Sequence, residues 1–248
     1  MCEAQNKQLQ SNHPGFRVSK LLKFCYFILA LALYSCGDGK AEKAKDQKTE
    51  TTTVTSTEAE QPKDKTILCF GDSITAGYGL DNTDDAYPGI LQDTINALNL
   101  EYTVINSGVS GETSAGGKSR IDWVIKQTPD IFLLELGAND GLRGVPVTET
   151  RANLQHIIDV VRAKSPDTKI ILAGMQMPPN MGTAYTTDFK QLFIDLASEN
   201  NIAFIPFILE QVGGKPELNQ GDGIHPNIEG HKLVAYTVWD VLGPMVKS

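Results

Sequence analysis

The sequence predicts an α/β fold in which a doubly wound, five-stranded parallel sheet carries helices on both faces. Three observations lead to this prediction. Short apolar runs without polar alternation recur from residue 66 onward, which is typical of parallel strands buried on both faces. Segments with apolar side chains at helical spacing separate these runs. Turns rich in Gly, Asn and Asp follow several of the runs, and open sheets of this class bind ligands at that edge.

Strands and helices alternate along this part of the chain. The first apolar run, T-I-L-C-F, stops at Gly71 and Asp72 and presents Ser73 directly afterwards. The strands are predicted at 67–70, 102–106, 131–136, 169–175 and 203–207. The helices are predicted at 86–98, through 120–125, and at 148–163, 187–199 and 226–241. This alternation predicts one domain built on a single parallel sheet.

Composition and charge exclude some classes of function. The chain has 248 residues and a formal net charge of −8, and the acidic excess lies after residue 65. An acidic domain without a basic stripe argues against nucleic acid as a partner. The 4 cysteines show neither a C-x-x-C pair nor zinc spacing, so neither a metal site nor a disulfide is predicted. Cys69, inside a predicted strand, is interpreted as a small buried hydrophobic side chain.

The N-terminal segment has the character of an export signal. Basic residues precede an apolar run at 24–34, as in a secretory signal peptide. This run is shorter than the roughly 20 apolar residues that a membrane span requires. L-Y-S-C at 33–36 resembles the lipobox of bacterial lipoproteins. We therefore expect a signal peptide over 1–36 and a lipid on Cys36, with plain secretion after a small residue as the alternative.

The next segment, 37–65, contains no aromatic residue and is rich in Lys, Glu, Thr and Ala. Such a segment cannot bury enough apolar surface to offset the entropy lost on ordering. The sequence therefore predicts a disordered tether, which joins the lipid anchor to a folded domain over 66–248.

Ser73 is the candidate nucleophile, and one histidine is placed to activate it. A serine hydroxyl needs an adjacent general base, which a third group must orient. His225 stands in a glycine-rich loop, G-D-G-I-H-P-N, with Asp222 three residues before it. A tight turn can bring Asp222 back onto the imidazole and fix its tautomer, although this carboxylate could instead only cap the turn. The other histidines are less suited by position: His13, His156 and His231.

Two further strand-end loops can supply donors for an oxyanion. N-S-G-V-S-G after the second strand contains Gly108, whose backbone can approach a ligand closely. G-A-N-D-G after the third strand contains Asn139, whose side-chain amide can donate. The alternative is that both loops are simple glycine-rich turns. Asp72 and Asp140 could be read as a glycosidase carboxylate pair, but turn and capping roles are favoured for both.

These residues together resemble the SGNH hydrolase superfamily, the GDSL esterases and lipases. The resemblance covers about 66–246, and E-L-G-A-N-D-G-L-R-G and D-G-I-H-P-N are similar to the bacterial thioesterase I, lysophospholipase and arylesterase subgroup. Four blocks match in order, which is far more specific than any single motif. The matching residues are Gly71-Asp72-Ser73-Ile74, Gly108, Asn139, and Asp222 with His225.

The resemblance implies a flavodoxin-like three-layer α/β/α sandwich, the SGNH hydrolase fold. It also implies an oxyanion hole made by the N–H groups of Ser73 and Gly108 and by the Asn139 side chain. Residues 141–146 are expected to form a mobile loop that closes over the acyl chain, with 176–185 as the other wall. The substrate-binding residues expected from these two segments are Gly141, Leu142, Pro146, Met177 and Tyr185.

The expected function is that of a serine esterase that works through an acyl-enzyme, with Ser73, Asp222 and His225 as its triad. Aryl or acyl esters, thioesters and lysophospholipids are the expected substrates, and no cofactor or metal is implied. The protein is expected outside the bacterial cytoplasm, attached to a membrane by its lipid, without a nucleic-acid or protein partner. The alternatives are a carbohydrate O-acetyl esterase and a non-catalytic lipid- or glycan-binding lipoprotein.

Overall fold

The computed structural model describes residues 65–126 and 128–247. The predicted signal peptide over 1–36, its lipidated Cys36 and the predicted tether up to residue 64 lie outside the described residues. Within the described ranges, no helix is both long and apolar enough to cross a membrane.

The described part of the chain contains five strands and seven α-helices, together with three short 3-10 helices. The strands are β1 Lys65–Gly71, β2 Tyr102–Gly108, β3 Ile131–Glu135, β4 Lys169–Ala173 and β5 Ala203–Ile205. The helices are α1 Ser73–Ala76, α2 Tyr87–Ala97, α3 Ser114–Val124, α4 Ala138–Leu142, α5 Val147–Lys164, α6 Thr183–Asn200 and α7 Ile228–Val246. All neighbouring strands pair in parallel, in the order β2-β1-β3-β4-β5, so the predicted five-stranded parallel sheet is confirmed.

The strand order explains why helices cover both faces. The chain moves from β1 to β2 in one direction and then crosses back past β1 to β3, β4 and β5. Because parallel crossovers are right-handed, this reversal places α2 on one face and α3, α5 and α6 on the other. The packing agrees, since α2 contacts α7 while α5 contacts both α3 and α6. The three-layer α/β/α expectation is therefore confirmed.

The sheet register brings three positions of the sequence to one edge. Gly71 at the end of β1 pairs with Gly108 of β2 on one side and with Glu135 of β3 on the other. The side chains of β1 from Ile67 to Phe70 and all of β3 are buried, which fixes this register through the apolar core. Residues that follow the three strands consequently meet at the carboxyl edge.

The structure differs from the sequence prediction mainly in short elements and in helix ends. The helices α1 and α4 were not predicted, because one-turn helices of 4 and 5 residues carry no readable periodicity. The predicted start of the last helix at Pro226 was wrong by two residues. Pro226 forms an isolated bridge with Asn219, and the Asn227 side chain accepts from the Gly230 N–H and so begins α7 at Ile228.

Candidate active site

Ser73 is the first residue of α1, directly after the buried strand β1. Asp72 caps this helix, since its Oδ1 accepts from the Ile74 N–H at 3.0 Å. Gly77 ends the helix in the left-handed region at φ 75°, where glycine is strongly favoured. The capping role predicted for Asp72 is confirmed, and the serine hydroxyl is delivered to the carboxyl edge of the sheet.

The structure brings the three candidate triad residues together. His225 Nε2 lies 2.9 Å from Ser73 Oγ, across 152 positions of sequence. His225 Nδ1 lies 2.6 Å from Asp222 Oδ2, and the other oxygen of Asp222 accepts from the N–H groups of Ile224 and His225 at 3.0 and 3.1 Å. Partial burial acts to raise the pKa of Asp222, but these hydrogen bonds lower it to about 2. Asp222 is therefore an ionised acceptor throughout the neutral range.

The loop that carries His225 rests on the segment after α1. The Gln220 N–H donates to the His225 carbonyl at 2.8 Å, and Gln220 Nε2 donates to the carbonyl oxygens of Tyr78 and Pro226. The ring of Tyr78, which is half exposed, lies 4.6 Å from the His225 ring. The sequence motifs gave no role to Gln220 or Tyr78, although the aromatic residue in G-Y-G so near Ser73 was an available signal.

Asn139, in α4, reaches the nucleophile turn. Its Nδ2 donates to Asp72 Oδ2 at 3.2 Å and to the Glu112 carbonyl at 3.0 Å. The amide is thus aimed at the same edge as Ser73, and both of its hydrogens have acceptors in the resting protein.

Gly108 lies against α1 so closely that only glycine fits, since a Cβ there would come within 2.2 Å of the Ala76 nitrogen. Its N–H donates to Asn106 Oδ1 at 3.0 Å, and Asn106 Nδ2 donates to the Thr75 carbonyl. The neighbouring Gly111 has φ 78°, and the described residues offer no acceptor to its N–H. Among the donors of the loop after β2, the Gly108 N–H is therefore engaged and the Gly111 N–H is free.

Comparison with known proteins assigns this site to a family. The GDSL-like lipase/acylhydrolase family matches residues 69–233, a segment that runs from before Ser73 to beyond His225. The chain belongs to this family.

Curated relatives of this GDSL hydrolase are enzymes that act on esters. Esterase TesA of Pseudomonas aeruginosa is 36% identical over 188 residues, which cover 75% of this chain and 92% of that protein. Thioesterase 1/protease 1/lysophospholipase L1 of Escherichia coli K12 is 35% identical over 182 residues, covering 73% of this chain and 85% of that protein. The chain is a carboxylic ester hydrolase acting on small-molecule esters.

A solved structure agrees in fold as well as in sequence. The psychrotrophic esterase EstA from Pseudoalteromonas sp., in a structure inhibited by monoethylphosphonate, superposes with a TM-score of 0.69 at 33% identity. The match covers 75% of this chain and 100% of that one. The expected SGNH hydrolase fold is therefore confirmed.

A buried polar cluster lies directly beneath the nucleophile turn of this GDSL hydrolase. Glu135 Oε2 lies 2.7 Å from Thr75 Oγ1 and accepts from the Asp72 N–H at 3.1 Å, while Thr75 Oγ1 is also 2.9 Å from the Tyr87 hydroxyl. Glu135, Thr75 and Asp72 are all fully buried. Burial raises the pKa of Glu135 well above its usual value, and the charge of Asp72 raises it further. Burial also raises the pKa of Asp72, to about 6.

No motif in the sequence assigned a role to Glu135. The available signal was a carboxylate inside the otherwise apolar run I-F-L-L-E-L, because an acidic side chain is rarely fully buried without a partner.

The five residues predicted to bind substrate fall into two groups. Gly141 packs against Met177, since a Cβ on Gly141 would lie 2.1 Å from the Met177 sulfur. The Tyr185 hydroxyl donates to the Val145 carbonyl at 2.8 Å. These contacts join the two predicted walls to each other. Leu142 and Pro146 are instead exposed. A cleft of about 640 Å³ borders Met177 on the side of α6 and includes no triad residue.

The remaining acidic and metal-binding candidates have structural explanations. Asp140 accepts from both the N–H and the hydroxyl of Ser114 at the start of α3, so it caps a helix and does not form a carboxylate pair with Asp72. Within residues 65–126 and 128–247, no cluster of three or more His, Cys, Asp or Glu side chains could hold a metal ion. Cys69 is fully buried in the core, as predicted, and burial raises the pKa of its thiol to about 12.

Proposed function

We propose that this GDSL hydrolase is a serine esterase that forms an acyl-enzyme on Ser73. The observation that carries the proposal is the aligned relay of two contacts, 2.9 Å from Ser73 Oγ to His225 Nε2 and 2.6 Å from His225 Nδ1 to Asp222 Oδ2. The relay has the order and geometry that nucleophilic catalysis by serine needs.

In the proposed reaction, the serine oxygen attacks the ester carbonyl carbon while His225 Nε2 takes the hydroxyl proton. The tetrahedral intermediate collapses as the bond to the leaving alcohol breaks, and the imidazolium returns the proton to that alcohol. A water molecule then gives a proton to His225 and attacks the acyl carbonyl carbon. The bond from that carbon to Ser73 Oγ breaks, the imidazolium returns the proton to Ser73 Oγ, and the carboxylic acid leaves. Asp222, with its pKa lowered to about 2, remains ionised and stabilises the imidazolium in both halves of the cycle.

The proposed oxyanion donors are the Ser73 N–H, a backbone N–H of the loop after β2, and the Asn139 amide. The Ser73 N–H is at the first position of α1, where a helix offers no internal acceptor. Gly108 is the donor expected from the sequence, and for this role its N–H has to leave Asn106 Oδ1. The free Gly111 N–H, three residues later, is the second candidate in the same loop.

The proposed substrates are aryl and short to medium acyl esters, with acyl thioesters and lysophospholipids next. The names of the relatives support this range, since TesA is an esterase and the E. coli protein is named a thioesterase and lysophospholipase. Exposed apolar side chains on the segments that carry the site residues support it too, because acyl chains need apolar contacts: Tyr78, Val109, Leu142 and Ile224.

The decisive experiment compares hydrolysis of p-nitrophenyl esters, from acetate to palmitate, by the wild type, Ser73→Ala and Ser198→Ala. Ser198 is an exposed serine on α6 and serves as the matched control. We expect a burst in the wild type and the control that vanishes in Ser73→Ala, together with covalent labelling of Ser73 by a fluorophosphonate. Equal activity in all three proteins refutes Ser73 as the nucleophile. Activity limited to acetate and to acetylated glycans selects the carbohydrate O-acetyl esterase, and ligand binding without turnover selects the binding lipoprotein.

We further propose that the enzyme is exported and anchored by a lipid on Cys36, with 37–64 as the linker to the catalytic domain; the predicted linker ran to 65, but Lys65 already belongs to β1. The support is the basic and apolar pattern before L-Y-S-C in the sequence. Labelling of cells with an alkyne fatty acid tests this proposal. The wild type should incorporate label and fractionate with membranes, whereas Cys36→Ser should do neither. Label retained in Cys36→Ser would exclude Cys36 as the lipidation site.

A further inference from the structure

Glu135 is the buried ionisable group that the proposed mechanism does not use. It ends β3, pairs in register with Gly71 of β1, and is fully buried. The side chains of Glu135 and Thr75 occupy the space that a side chain on Gly71 would fill. A Cβ on Gly71 would lie 2.4 Å from Glu135 Oε2 and 2.0 Å from Thr75 Oγ1. The absence of a side chain at Gly71 is thus what lets this carboxyl group lie under the nucleophile turn.

The two oxygens of Glu135 have very different surroundings. Oε2 contacts Thr75 Oγ1 and the Asp72 N–H, whereas Oε1 is buried and has no hydrogen-bond partner among the described residues. A carboxylate spreads its charge over both oxygens, so leaving one of them unpaired in the interior costs several times more than leaving a neutral carbonyl oxygen unpaired. The geometry therefore favours the neutral acid, with the C=O oxygen at the unpartnered position.

A proton on Oε2 also completes the hydrogen bonds around it. The acid then donates to Thr75 Oγ1, the Thr75 hydroxyl donates to Tyr87, and Oε2 still accepts from the Asp72 N–H. A single chain of bonds thereby connects β3, the Asp72 amide before the serine, Thr75 of α1 and Tyr87 of α2.

We propose that Glu135 is a neutral carboxylic acid and a positioning residue, which holds through Thr75 and the Asp72 amide the turn from which Ser73 attacks. The inference deepens the proposed function and rests on it, since Glu135 acts only through the turn that presents the nucleophile. It touches neither substrate nor imidazole, so the role differs from those of the triad and of the oxyanion donors.

The titratable groups that face Glu135 favour the neutral form. Asp72 approaches from the β1–α1 turn, and its charge opposes a second negative charge. Cys69 and Tyr87 face it from β1 and α2, and burial raises the pKa of both, so both are neutral; neither a thiol nor a phenol can carry the positive charge that a carboxylate would need. The imidazole of His225 acts on Asp72 and not directly on Glu135.

Infrared difference spectroscopy tests the protonation state without turnover. The wild-type spectrum minus that of Glu135→Gln, recorded at neutral pH, should show the C=O stretch of a protonated carboxylic acid. The same subtraction with Asp72→Asn assigns any contribution from the neighbouring carboxyl group. A carboxylate band in the Glu135 difference overturns the proposal.

Steady-state kinetics test the positioning role. Thr75→Val removes the hydroxyl at nearly constant volume and should lower kcat by about 100-fold with KM changed little, because misplacing a nucleophile by about 1 Å has that effect. Thr75→Ser keeps the hydroxyl and should restore most of kcat. Glu135→Gln should retain kcat within about tenfold, with a pH–rate profile parallel to that of the wild type, whereas Glu135→Leu should match Thr75→Val.

Two outcomes overturn the positioning role. One is a folded Glu135→Gln protein with kcat as low as that of Thr75→Val or with a displaced pH profile, and the other is full activity in Thr75→Val. Failure of the serine-esterase proposal can be distinguished from failure of the Glu135 proposal. In the first case the wild type shows no fluorophosphonate label on Ser73, while the infrared band still reports the protonation state of Glu135.

Discussion

The two halves of the candidate active site are supported in opposite ways. The turn around Ser73 is buried, and its neighbours Asp72 and Thr75 bond to groups from β3, α2, α4 and the end of β2. The loop around His225 is largely exposed, and it is held by bonds within five residues, from Asp222 and Gln220. Its long-range contacts run from Gln220 to the Tyr78 carbonyl, from the His225 ring to the Tyr78 ring, and from His225 Nε2 to Ser73 Oγ.

The contrast indicates which half sets the geometry and which half can adjust. A buried turn with bonds to several elements cannot move without disturbing the core, so the nucleophile is fixed with the fold. A short exposed loop costs little to displace, so the general base can follow the leaving group and later the water. Mutations in the turn around Ser73 should therefore reduce stability, whereas mutations in the loop around His225 should reduce activity and leave stability unchanged.

The largest expected effect comes from Asp222→Asn, on the histidine side. The Asp222 carboxylate accepts three contacts within the loop, so its replacement should lower kcat by about 10⁴-fold through loss of the tautomer and of the charge that stabilises the imidazolium. The melting temperature should change little, because the loop is exposed. Steady-state kinetics and thermal unfolding on the same samples measure both. A large loss of stability would remove the contrast between the two halves.

On the serine side, Gly71→Ala should act mainly on stability. The new Cβ would lie 2.0 Å from Thr75 Oγ1 and 2.7 Å from the Glu135 carbonyl oxygen, so the free energy of unfolding should fall by about 3 kcal/mol. The matched control is Gly221→Ala in the histidine loop, where a Cβ meets nothing within 4 Å, with an expected change below about 0.5 kcal/mol. Urea unfolding of both variants provides the measurement. Equal losses would show that the histidine loop is as tightly packed as the serine turn.

His231, on the helix α7 that follows the histidine loop, should make the free energy of unfolding depend on pH. His231 of α7 is buried, and its Nδ1 accepts from the Tyr87 N–H at the start of α2. Burial lowers the pKa of His231 to about 4, with the imidazole of His225 contributing. Because the unfolded chain protonates near its ordinary pKa of about 6.5, the free energy of unfolding should fall by up to roughly 3 kcal/mol as pH falls from 6.5 to 4.

Urea unfolding at pH 7 and at pH 4 measures this loss. The His231→Gln variant should show a smaller loss between the two pH values, and His156→Gln, at a partly exposed position on α5, should behave like the wild type. Identical pH dependence in His231→Gln and the wild type would mean that His231 is not the responsible group.

The smallest expected effect concerns Tyr78, the aromatic support of the histidine loop. Its exposed ring lies against His225 and can also stack on an aromatic leaving group. Tyr78→Ala should lower kcat/KM for p-nitrophenyl butyrate by about tenfold, and less for ethyl butyrate, since an aromatic pair contributes about 1 kcal/mol. Tyr78→Phe keeps the ring and should resemble the wild type. An equal loss on both esters would limit Tyr78 to supporting the loop.

The sequence predicted the features that local patterns encode. Buried strands read as apolar runs, and their alternation with helices gave the parallel sheet. Ser73 and the pair Asp222 and His225 stood out because each lies in a short motif with a chemical reason for its spacing.

What the sequence could not predict depends on register between distant segments. The position of Glu135 beneath Ser73 follows from its pairing with Gly71, and the engaged N–H of Gly108 follows from the orientation of the Asn106 side chain. Neither contact leaves a periodic trace in the sequence, and the helices α1 and α4 are too short to leave one.

The hydrogen-bond partners that the oxyanion donors have in the resting protein affect how strongly the site favours the transition state over the bound ester. In the proposed mechanism, Asn139 Nδ2 and the Gly108 N–H already have acceptors, namely the Asp72 carboxylate, the Glu112 carbonyl and the Asn106 amide oxygen. A weakly polarised ester carbonyl gains nothing by displacing them, because it is a weaker acceptor than the Asp72 carboxylate and no stronger than the neutral oxygens of Glu112 and Asn106. The oxyanion of the tetrahedral intermediate is a stronger acceptor than the ester carbonyl, so it is stabilised more when it replaces the resting partners. The donors therefore favour the transition state over the bound substrate, which raises the rate without raising the affinity for substrate.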